Sequence, residues 1–207
     1  MLISTVIPIL KGKNSNATGP ANYRGISMSS IFGKLFDILI SSRYGDLRSS
    51  DNQFGFKPKR SIDMCTVILK KCLSYFTNNE GSVYCTFLDA TKAFDRVEYC
   101  KLIGKLMSRG LPLIIIRMLL NMYVGHITRV AWNSVCSCSF SVQNGVKQGG
   151  IVSPVLFCVY INDVLKLLAE LEVGCFISDI LVGILAYADD LVLLAPMHGQ
   201  CYKSVVE

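Results

Sequence analysis

The sequence lacks the residue patterns that mark zinc sites and disulfide-bonded secreted domains. It contains two histidines, and none of its nine cysteines forms a C-x-x-C pair or lies at zinc-ligand spacing from a histidine. The cysteine count is odd, and no signal peptide is evident at the N-terminus. These features predict reduced thiols in an intracellular protein of the nucleus or the cytoplasm.

Long uninterrupted apolar runs are also absent, although 51% of the residues are apolar. The two longest candidates, residues 111–124 and 180–194, are interrupted by Arg117 and by two aspartates, respectively. Neither reaches the length of a membrane span, so the sequence predicts no membrane association. With 207 residues, the chain can form one large domain or two small subdomains with a sizeable core.

Positive charge is concentrated in the first third of the chain. Residues 1–60 contain nine Lys or Arg against three Asp or Glu, whereas residues 61–207 contain twelve of each. This asymmetry predicts a surface for a polyanion, with a solvated basic face as the alternative. Within it, segment 53–60 alternates aromatic and basic residues. That pattern suits base stacking and phosphate contacts, or equally a loop that anchors two Phe in the core.

A pair of adjacent carboxylates lies near the C-terminus, in the tetrad Tyr187-Ala188-Asp189-Asp190. Short apolar runs on both sides, residues 180–186 and 191–195, predict two buried strands joined by a tight hairpin with Ala-Asp-Asp at its turn. Adjacent carboxylates on an apolar hairpin are costly without a positive partner. A hard divalent cation is the usual partner, and a solvated Asp-Asp turn is the alternative.

A third carboxylate, Asp89, follows the predicted strand 82–88, and a glycine-rich loop, residues 145–150, lies between the two carboxylate positions. A carboxylate at the end of a buried strand is typical of a chemical site, though also of a helix N-cap. The glycines allow backbone amides to approach a ligand, and the loop is not a P-loop because no Lys-Ser or Lys-Thr follows. Carboxylates from two separate strands are what a two-metal phosphoryl-transfer site requires.

The spacing of apolar residues predicts a mixture of helices and strands, and hence an α+β class. The predicted helices are 30–47, 62–76, 97–109, 112–123 and 153–171. The predicted strands, besides the central hairpin, are 3–10, 82–88, 127–132 and 138–142.

Six blocks follow one another along nearly the whole chain: Ile7–Lys11, Tyr23–Ser27, Gln53–Phe56, Phe87–Val97, Gly145–Phe157 and Ala186–Asp190. In this order they resemble the fingers and palm of a reverse transcriptase of the non-LTR (LINE-type) retrotransposon kind. The resemblance implies a polymerase palm with an antiparallel sheet backed by helices, plus a basic fingers subdomain. Residues 1–80 would be fingers-like, and residues 81–207 would be palm with interleaved fingers elements.

The resemblance also implies what surrounds this part of the family's polypeptide. The chain stops seventeen residues after Asp190, where the family continues into the primer grip and thumb. We therefore expect this chain to lack the thumb and also an endonuclease domain ahead of the matching blocks.

Three aspartates match the family's catalytic positions. Asp89 and Asp189 resemble the metal-binding aspartates of the palm, and Asp190 resembles their supporting neighbour. The implied cofactor is a pair of Mg²⁺ ions, with Mn²⁺ as an alternative. Asp95 is expected to act locally, as a cap or in an ion pair.

Other residues resemble the family's nucleotide-contacting positions. Phe94 resembles the aromatic steric gate beneath the incoming sugar, where a flat ring excludes a ribose 2′-hydroxyl. Gln148 and Gly149 resemble the loop over the incoming nucleotide and template. Arg24 and Lys11 resemble the residues of the fingers that hold the triphosphate. Lys13 is the alternative to Lys11 for this role.

The implied partners are an RNA template, a DNA primer and a dNTP, and the implied activity is RNA-directed DNA synthesis. The alternatives are a catalytically inactive RNA-binding remnant of a retroelement and a group II intron maturase-like reverse transcriptase, which shares the tetrad. The run Ala93–Val97 and the loop Gln148–Gly150 favour the LINE-type interpretation. Without a thumb and primer grip, the isolated chain is expected to bind nucleic acid but not to polymerise.

Overall fold

The structure, a computed structural model, describes residues 3–12, 16–44, 47, 49–79 and 81–197. Helices and strands alternate irregularly along the chain, as expected for a mixed α+β protein. The elements are β1 (Ile3–Leu10), β2 (Tyr23–Met28), α1 (Ile31–Tyr44), α2 (Ile62–Asn78), β3 (Val83–Asp89), α3 (Tyr99–Ser108), α4 (Leu113–Tyr123), β4 (His126–Trp132), β5 (Val135–Cys136), β6 (Phe140–Val142), α5 (Ser153–Glu170), β7 (Phe176–Ile177), β8 (Ile180–Leu181), β9 (Ile184–Tyr187) and β10 (Asp190–Pro196), with 3₁₀ turns at Pro20–Asn22 and Phe94–Arg96.

The chain forms two compact units, each assembled from two separate stretches. The first contains Met1–Leu47 and Lys92–Tyr160, and the second contains Arg48–Thr91 and Ile161–Glu207. These units do not follow the expected boundary between residues 80 and 81, because the segment leading into β3 packs with the C-terminal hairpin. The assignment of fingers and palm roles to the two halves of the sequence stays a prediction.

The first unit contains a sheet with strand order β2-β1-β4-β5, and β6 also pairs with β4. β1 pairs antiparallel with β2 and parallel with β4. Helices α3 and α4 pack against each other, and α4 also contacts β4. Their buried faces carry leucines at helical spacing, among them Leu102, Leu106 and Leu119.

The second unit contains a three-stranded sheet with order β3-β10-β9, in which both pairs are antiparallel. Strand alternation directs Leu185 and Leu194 to one face, where they join Cys72 and Phe76 of α2 in a buried cluster. On the other face, Ile184 and Ala186 join apolar residues of the C-terminal part of α5. The hairpin is therefore held rigidly, because β9 is covered on both faces.

Strand β3 forms the open edge of this sheet. Unlike β9, most of its side chains are exposed on both faces, including Tyr84 at 58% and Phe87 at 70%. Its backbone is paired on one side only, with β10. The strand that carries Asp89 is thus the least covered strand of the sheet.

The predicted helices are confirmed with small shifts at their ends, and the strand 3–10 and the central hairpin are confirmed as well. β2 is an addition to the predicted strands, which do not include residues 23–28. Among the helices that the structure describes, none combines the length and the apolar character needed to cross a membrane.

Candidate active site

The hairpin that carries the two adjacent aspartates is tighter than the sequence predicts. Tyr187 and Asp190 are ladder partners, so the turn consists of Ala188 and Asp189 alone. Ala188 has φ +59°, the left-handed region, whereas Asp189 does not. This is the φ pattern of a type II′ hairpin turn, which usually places Gly at the first position.

The strand register shows which of the two adjacent aspartates lies opposite Asp89. Asp89 lies directly opposite Asp190 in the ladder between β3 and β10, because the two-residue turn makes Asp190 the first paired residue. Partners in an antiparallel ladder project to the same face, with Cβ atoms about 4.5–5.5 Å apart. Asp189 is adjacent to this pair, in the turn.

The charge of Asp190 is destabilised by its surroundings. The pKa of Asp190 is raised above its ordinary value, first by partial burial and then by the negative charges of Asp189 and Asp89. Within the residues that the structure describes, none of the three forms an ion pair or a side-chain hydrogen bond. The end of this sheet therefore carries a negative cluster that no cation of the described residues pairs with.

This donor set fits a hard divalent cation in its chemistry, since carboxylate oxygens are the ligands that Mg²⁺ prefers. The spacing of the carboxylates fits a cation less well than their chemistry does. In the described part of the chain, no group of three or more His, Cys, Asp or Glu is arranged to hold a metal ion. The ladder brings the carboxylates next to one another without closing them around a common point.

The glycine-rich loop lies in the first unit, where hydrogen bonds attach it to two neighbouring segments. The N–H of Gly145 donates to the carbonyl of Val97 and that of Val146 donates to the carbonyl of Phe94, both at 2.8 Å. The carbonyl of Gln148 accepts from the N–H of Ser27 in β2 at 2.7 Å. The loop is thus fixed to the edge of the sheet and to the 3₁₀ turn that contains Phe94.

Asp95 holds the side chain of Gln148, whose Nε2 donates to Asp95 Oδ1 at 3.1 Å. Both residues line a cavity of about 120 Å³ with Gly25, Ser27 and other residues of the first unit. The predicted role of Asp95 as a local cap or ion-pair partner is therefore replaced by a long-range one, in which Asp95 orients the predicted nucleotide-contacting glutamine.

The residues predicted to hold a triphosphate lie on the hairpin of β1 and β2. Ile9 is the ladder partner of Arg24, and the N–H of Lys11 donates to the carbonyl of Asn22 at 2.9 Å. Strand alternation then places Arg24 on the same face of the hairpin as Ile26, and Lys11 follows directly after the last residue of β1. A Cβ on Gly149, which has φ +93°, would lie 3.0 Å from Ile26 Cγ2. Lys13 lies outside the described residues.

Phe94 packs face to face on Phe157 of α5, with ring centroids 4.7 Å apart and an interplanar angle of 14°. Phe157 is buried, whereas Phe94 is partly exposed. The buried ring fixes the orientation of the partly exposed one, as a steric gate would require.

The aromatic and basic segment 53–60 was considered either for nucleic-acid contact or for anchoring a loop in the core, and several of its residues have the anchoring role. Phe54 is buried in the core of the second unit, and the guanidinium of Arg60 lies 5.1 Å from its ring. Arg60 also pairs with Asp51 at 2.7 Å, and Lys57 Nζ donates to the carbonyls of Ser49 and Ser50. These two cations stabilise the loop itself, so part of the basic excess is structural.

The family of the chain is shown by comparison with known proteins. The reverse transcriptase (RNA-dependent DNA polymerase) family matches residues 10–207. The chain belongs to this family.

Its curated relatives include Pol polyproteins from retrotransposable elements of insects. The chain is 30% identical over 187 residues to the retrovirus-related Pol polyprotein from type-2 retrotransposable element R2DM of Drosophila melanogaster, covering 88% of this chain and 17% of that polyprotein. It is 29% identical over 188 residues to the Pol polyprotein of an R2 element of Nasonia vitripennis, covering 90% and 18%. These relatives confirm the LINE-type resemblance. The chain spans less than a fifth of their length.

Solved structures show the same fold. Telomerase from Candida tropicalis, in complex with the TWJ fragment of telomeric RNA, has a TM-score of 0.62 at 14% identity and covers 93% of this chain and 36% of that one. Telomerase from Candida albicans with the same kind of fragment has a TM-score of 0.58 at 11% identity and covers 96% and 38%. At these identities the likeness shows the fold alone, a mixed α+β polymerase fold.

Two residues of this reverse transcriptase chain have roles that the sequence reading missed. Asp37 of α1 is 3% exposed, and its Oδ2 accepts from the N–H of Ile151 at the start of α5 at 3.2 Å. Burial raises its pKa, while the Ile151 N–H and the charge of Lys147 act in the opposite direction. The other is Gln53, whose side chain contacts Ala188 in the hairpin turn. The sequence signal for Asp37 was an acidic residue in an apolar helix. The signal for Gln53 was its position two residues before a Gly.

Proposed function

We propose that this chain is the catalytic portion of an RNA-directed DNA polymerase, in which Asp89, Asp189 and Asp190 hold divalent cations for nucleotidyl transfer. The substrates are an RNA template, a DNA primer and a dNTP, as the family membership suggests. The observation that carries the proposal is the Asp89–Asp190 ladder pair beside Asp189, a negative cluster that, in the part of the chain the structure describes, no lysine or arginine neutralises.

The carboxylates belong to a rigid part of the molecule. β9 and β10 are packed between two apolar clusters, so the turn that carries Asp189 cannot move far to avoid the neighbouring charges. A bound cation would relieve the repulsion between these negative charges. Cation binding also requires the carboxylates to be deprotonated. We propose that, when a cation binds, the three carboxylate side chains turn toward it while the backbone of the hairpin stays in place.

The first unit supports the nucleotide side of the proposal. Arg24 lies on β2 and Lys11 lies directly after the end of β1, where their charges would meet a triphosphate. Gln148 is oriented by Asp95, and the ring of Phe94 is oriented by Phe157. Three of the proposed substrate-contacting side chains are therefore placed by the fold: Arg24 by its strand, and Gln148 and Phe94 by a specific neighbour.

In the reaction, the primer 3′-oxygen attacks the α-phosphorus of the dNTP, a new P–O bond forms, and pyrophosphate leaves with the electron pair of the broken P–O bond. Bound divalent cations supply activation of the attacking oxygen and stabilisation of the leaving one. The carboxylates of this chain hold that charge in place, while Phe94 excludes a 2′-hydroxyl and Arg24 and Lys11 orient the triphosphate.

A titration with Mn²⁺, followed by the loss of the free-ion EPR signal, tests the metal site directly. The wild-type chain should bind Mn²⁺, and Asp89→Asn and Asp189→Asn should each weaken binding by at least about tenfold. Asp63→Asn, which changes an exposed aspartate of α2, is the matched control and should leave binding unchanged. Equal Mn²⁺ affinity in all four proteins would overturn the proposal.

Catalysis itself is tested in a polypeptide that joins this chain to the downstream part of the Drosophila R2 polyprotein. With Mg²⁺, dNTPs and an RNA template, it should extend a DNA primer, and Asp189→Asn should abolish extension. Failure of the unsubstituted fusion, when the Drosophila protein itself is active under the same conditions, would count against the polymerase assignment.

A second candidate function is RNA binding without catalysis. The absence of a closed metal-ligand group among the described residues favours it. The Mn²⁺ titration distinguishes the two functions, because an RNA-binding remnant has no need of cation binding at Asp89 and Asp189.

A further inference from the structure

The side chain of Gln53 is 0% exposed and lies against the hairpin turn of the second unit. Its Oε1 accepts hydrogen bonds from the N–H of Ala188 at 3.0 Å and from the N–H of Gly55 at 2.8 Å. Its Nε2 donates to the carbonyl of Ala188 at 3.1 Å. One side chain thus satisfies both backbone groups of the residue that precedes Asp189.

The backbone around Gln53 is fixed to the same hairpin. The N–H of Phe54 donates to the carbonyl of Ala186, and the N–H of Ala186 donates to the carbonyl of Asn52, both at 2.8 Å. Gln53 thereby forms a parallel bridge with Ala186, next to β9. The amide therefore reaches Ala188 from a support that cannot shift independently of the strand.

The residue that Gln53 holds is in an unfavourable conformation. Ala188 has φ +59°, and a left-handed backbone brings the Cβ of an L-residue close to the following carbonyl oxygen. Such a conformation persists when its surroundings over-determine it. A primary amide suits this task because it both donates and accepts, whereas Met or Leu does neither and a carboxylate only accepts.

Gly55 completes the contact from the other side. A Cβ at this position would lie 2.3 Å from the backbone nitrogen of Ala188 and 3.1 Å from Gln53 Oε1. Any side chain here would therefore displace either the turn or the amide that holds it. The Gln-x-Gly spacing is explained by this close approach of two backbone segments.

We infer that Gln53 is a positioning residue, which fixes the Ala188–Asp189 turn so that the Asp189 carboxylate is presented to a divalent cation. Gln53 does not touch the cation or the substrate, and it acts through Ala188. The inference rests on the proposed function, in which Asp189 is a metal ligand, and it assigns the buried glutamine a role in that site rather than in nucleic-acid contact.

The test substitutes Gln53→Met, which keeps the length of the side chain and removes its donor and acceptor. Mn²⁺ affinity should fall by about 10- to 100-fold, the usual effect of removing a group that orients a metal ligand. Hydrogen exchange of the Ala188 amide, followed by NMR, should accelerate, while that of Leu193 in the middle of β10 should not.

The matched control is Asn162→Leu, which removes another fully buried amide of the second unit. Asn162 accepts from the N–H of Ser50 at 2.5 Å and does not contact the turn. It should lower the stability of the protein without changing Mn²⁺ affinity per folded molecule or the exchange of the Ala188 amide. An equal loss of affinity in both variants would assign the effect to general destabilisation and overturn the inference.

A double substitution separates positioning from packing. Gly adopts a positive φ without penalty, so Gln53→Met should cost markedly less Mn²⁺ affinity when Ala188→Gly is also present. The same fold-loss with Ala or Gly at position 188 would overturn the inference. This comparison also remains informative if Gln53→Met alone folds poorly.

The outcomes distinguish the inference from the function on which it rests. If Asp189→Asn abolishes Mn²⁺ binding and Gln53→Met does not weaken it, the inference is overturned and the proposed function stands. If Asp189→Asn leaves Mn²⁺ binding unchanged, the proposed metal site is overturned. The role of Gln53 toward the cation is overturned with it, and the Ala188 amide then reports only whether Gln53 holds the turn.

Discussion

Asp89 and Asp190 face each other across the ladder between β3 and β10, at the end of the sheet where the hairpin turn begins. Like charges in directly opposite positions of an antiparallel pair are unfavourable. A sheet that served only to support the fold would gain from a neutral residue at either position. The pair therefore lowers the stability of the folded protein. This loss of stability can be measured without substrate.

Asp190→Asn is expected to stabilise the cation-free protein at neutral pH. Burial and the charges of Asp189 and Asp89 raise the pKa of Asp190 in the folded state, so the folded protein binds this proton more tightly than the unfolded one. Stability then falls as pH rises from the ordinary value of 3.8 through the raised value, and it stays lower above it. Thermal unfolding in EDTA should show a higher Tm for the variant at neutral pH and no difference below pH 3.8.

The same comparison in Mg²⁺ should reverse the order, because the cation stabilises the wild-type protein and the variant binds it less well. Asp63→Asn serves as the control for the loss of one negative charge. A variant that matches the wild type at every pH would show that the ladder pair carries no strong repulsion.

Substitutions of two glycines by Ala are expected to act in opposite directions. Gly55→Ala should destabilise the protein by about 1–3 kcal/mol, the usual range for overpacking, because its Cβ would meet the backbone of Ala188. Gly104→Ala, in the middle of α3 with no atom within 4 Å of the added Cβ, should stabilise it by about 0.5–1 kcal/mol. Urea unfolding of the two variants checks the signs, and a stabilised Gly55→Ala would contradict the close approach.

Phe94→Ala is expected to admit ribonucleotides in the polymerase fusion, because the ring acts by excluding one hydroxyl. The measurement is the ratio of kcat/KM for a dNTP to that for the matching rNTP, which should fall by at least about tenfold if the ring contributes 1.4 kcal/mol or more to discrimination. Phe94→Tyr keeps the ring and should retain the ratio. A ratio that does not change in the alanine variant would remove Phe94 from the nucleotide site.

Arg24→Gln is expected to weaken RNA binding by the 207-residue chain and to reduce its dependence on salt. Each phosphate contact with a single strand contributes about 0.7 to the slope of log affinity against log salt, so the slope should become shallower by about that amount. Lys166→Gln, on the exposed side of α5, should leave the slope unchanged. Binding that is insensitive to salt in the wild type would show that the basic excess is only solvated charge.

The local part of this structure could be predicted from the sequence. Apolar spacing identifies α2 and α5, and two short apolar runs identify the hairpin of β9 and β10. The ordered motifs identify Asp89 and Asp189 as candidates. What could not be predicted depends on register and on distant contacts. The partnership of Asp89 with Asp190 follows from a turn of two residues rather than three, and the bond between Gln53 and Ala188 joins positions 135 residues apart.

β2 is a second feature that local sequence could not predict. Its segment is short and contains Gly25, which lowers its strand propensity, and it becomes a strand because β1 offers a complete ladder from Thr5 to Leu10. The parallel pairing of β1 with β4 is equally invisible locally, since it joins residues more than a hundred positions apart.

The open edge formed by β3 also bears on how the purified chain should behave. Among the described residues β3 pairs only with β10, and its Tyr84 and Phe87 are exposed, so its other side can accept a second copy of the same strand. Its seven residues contain neither Lys nor Pro to discourage such pairing. Self-association should therefore rise with protein concentration, and a single lysine at Phe87 should reduce it more than a lysine at exposed Met107 on α3.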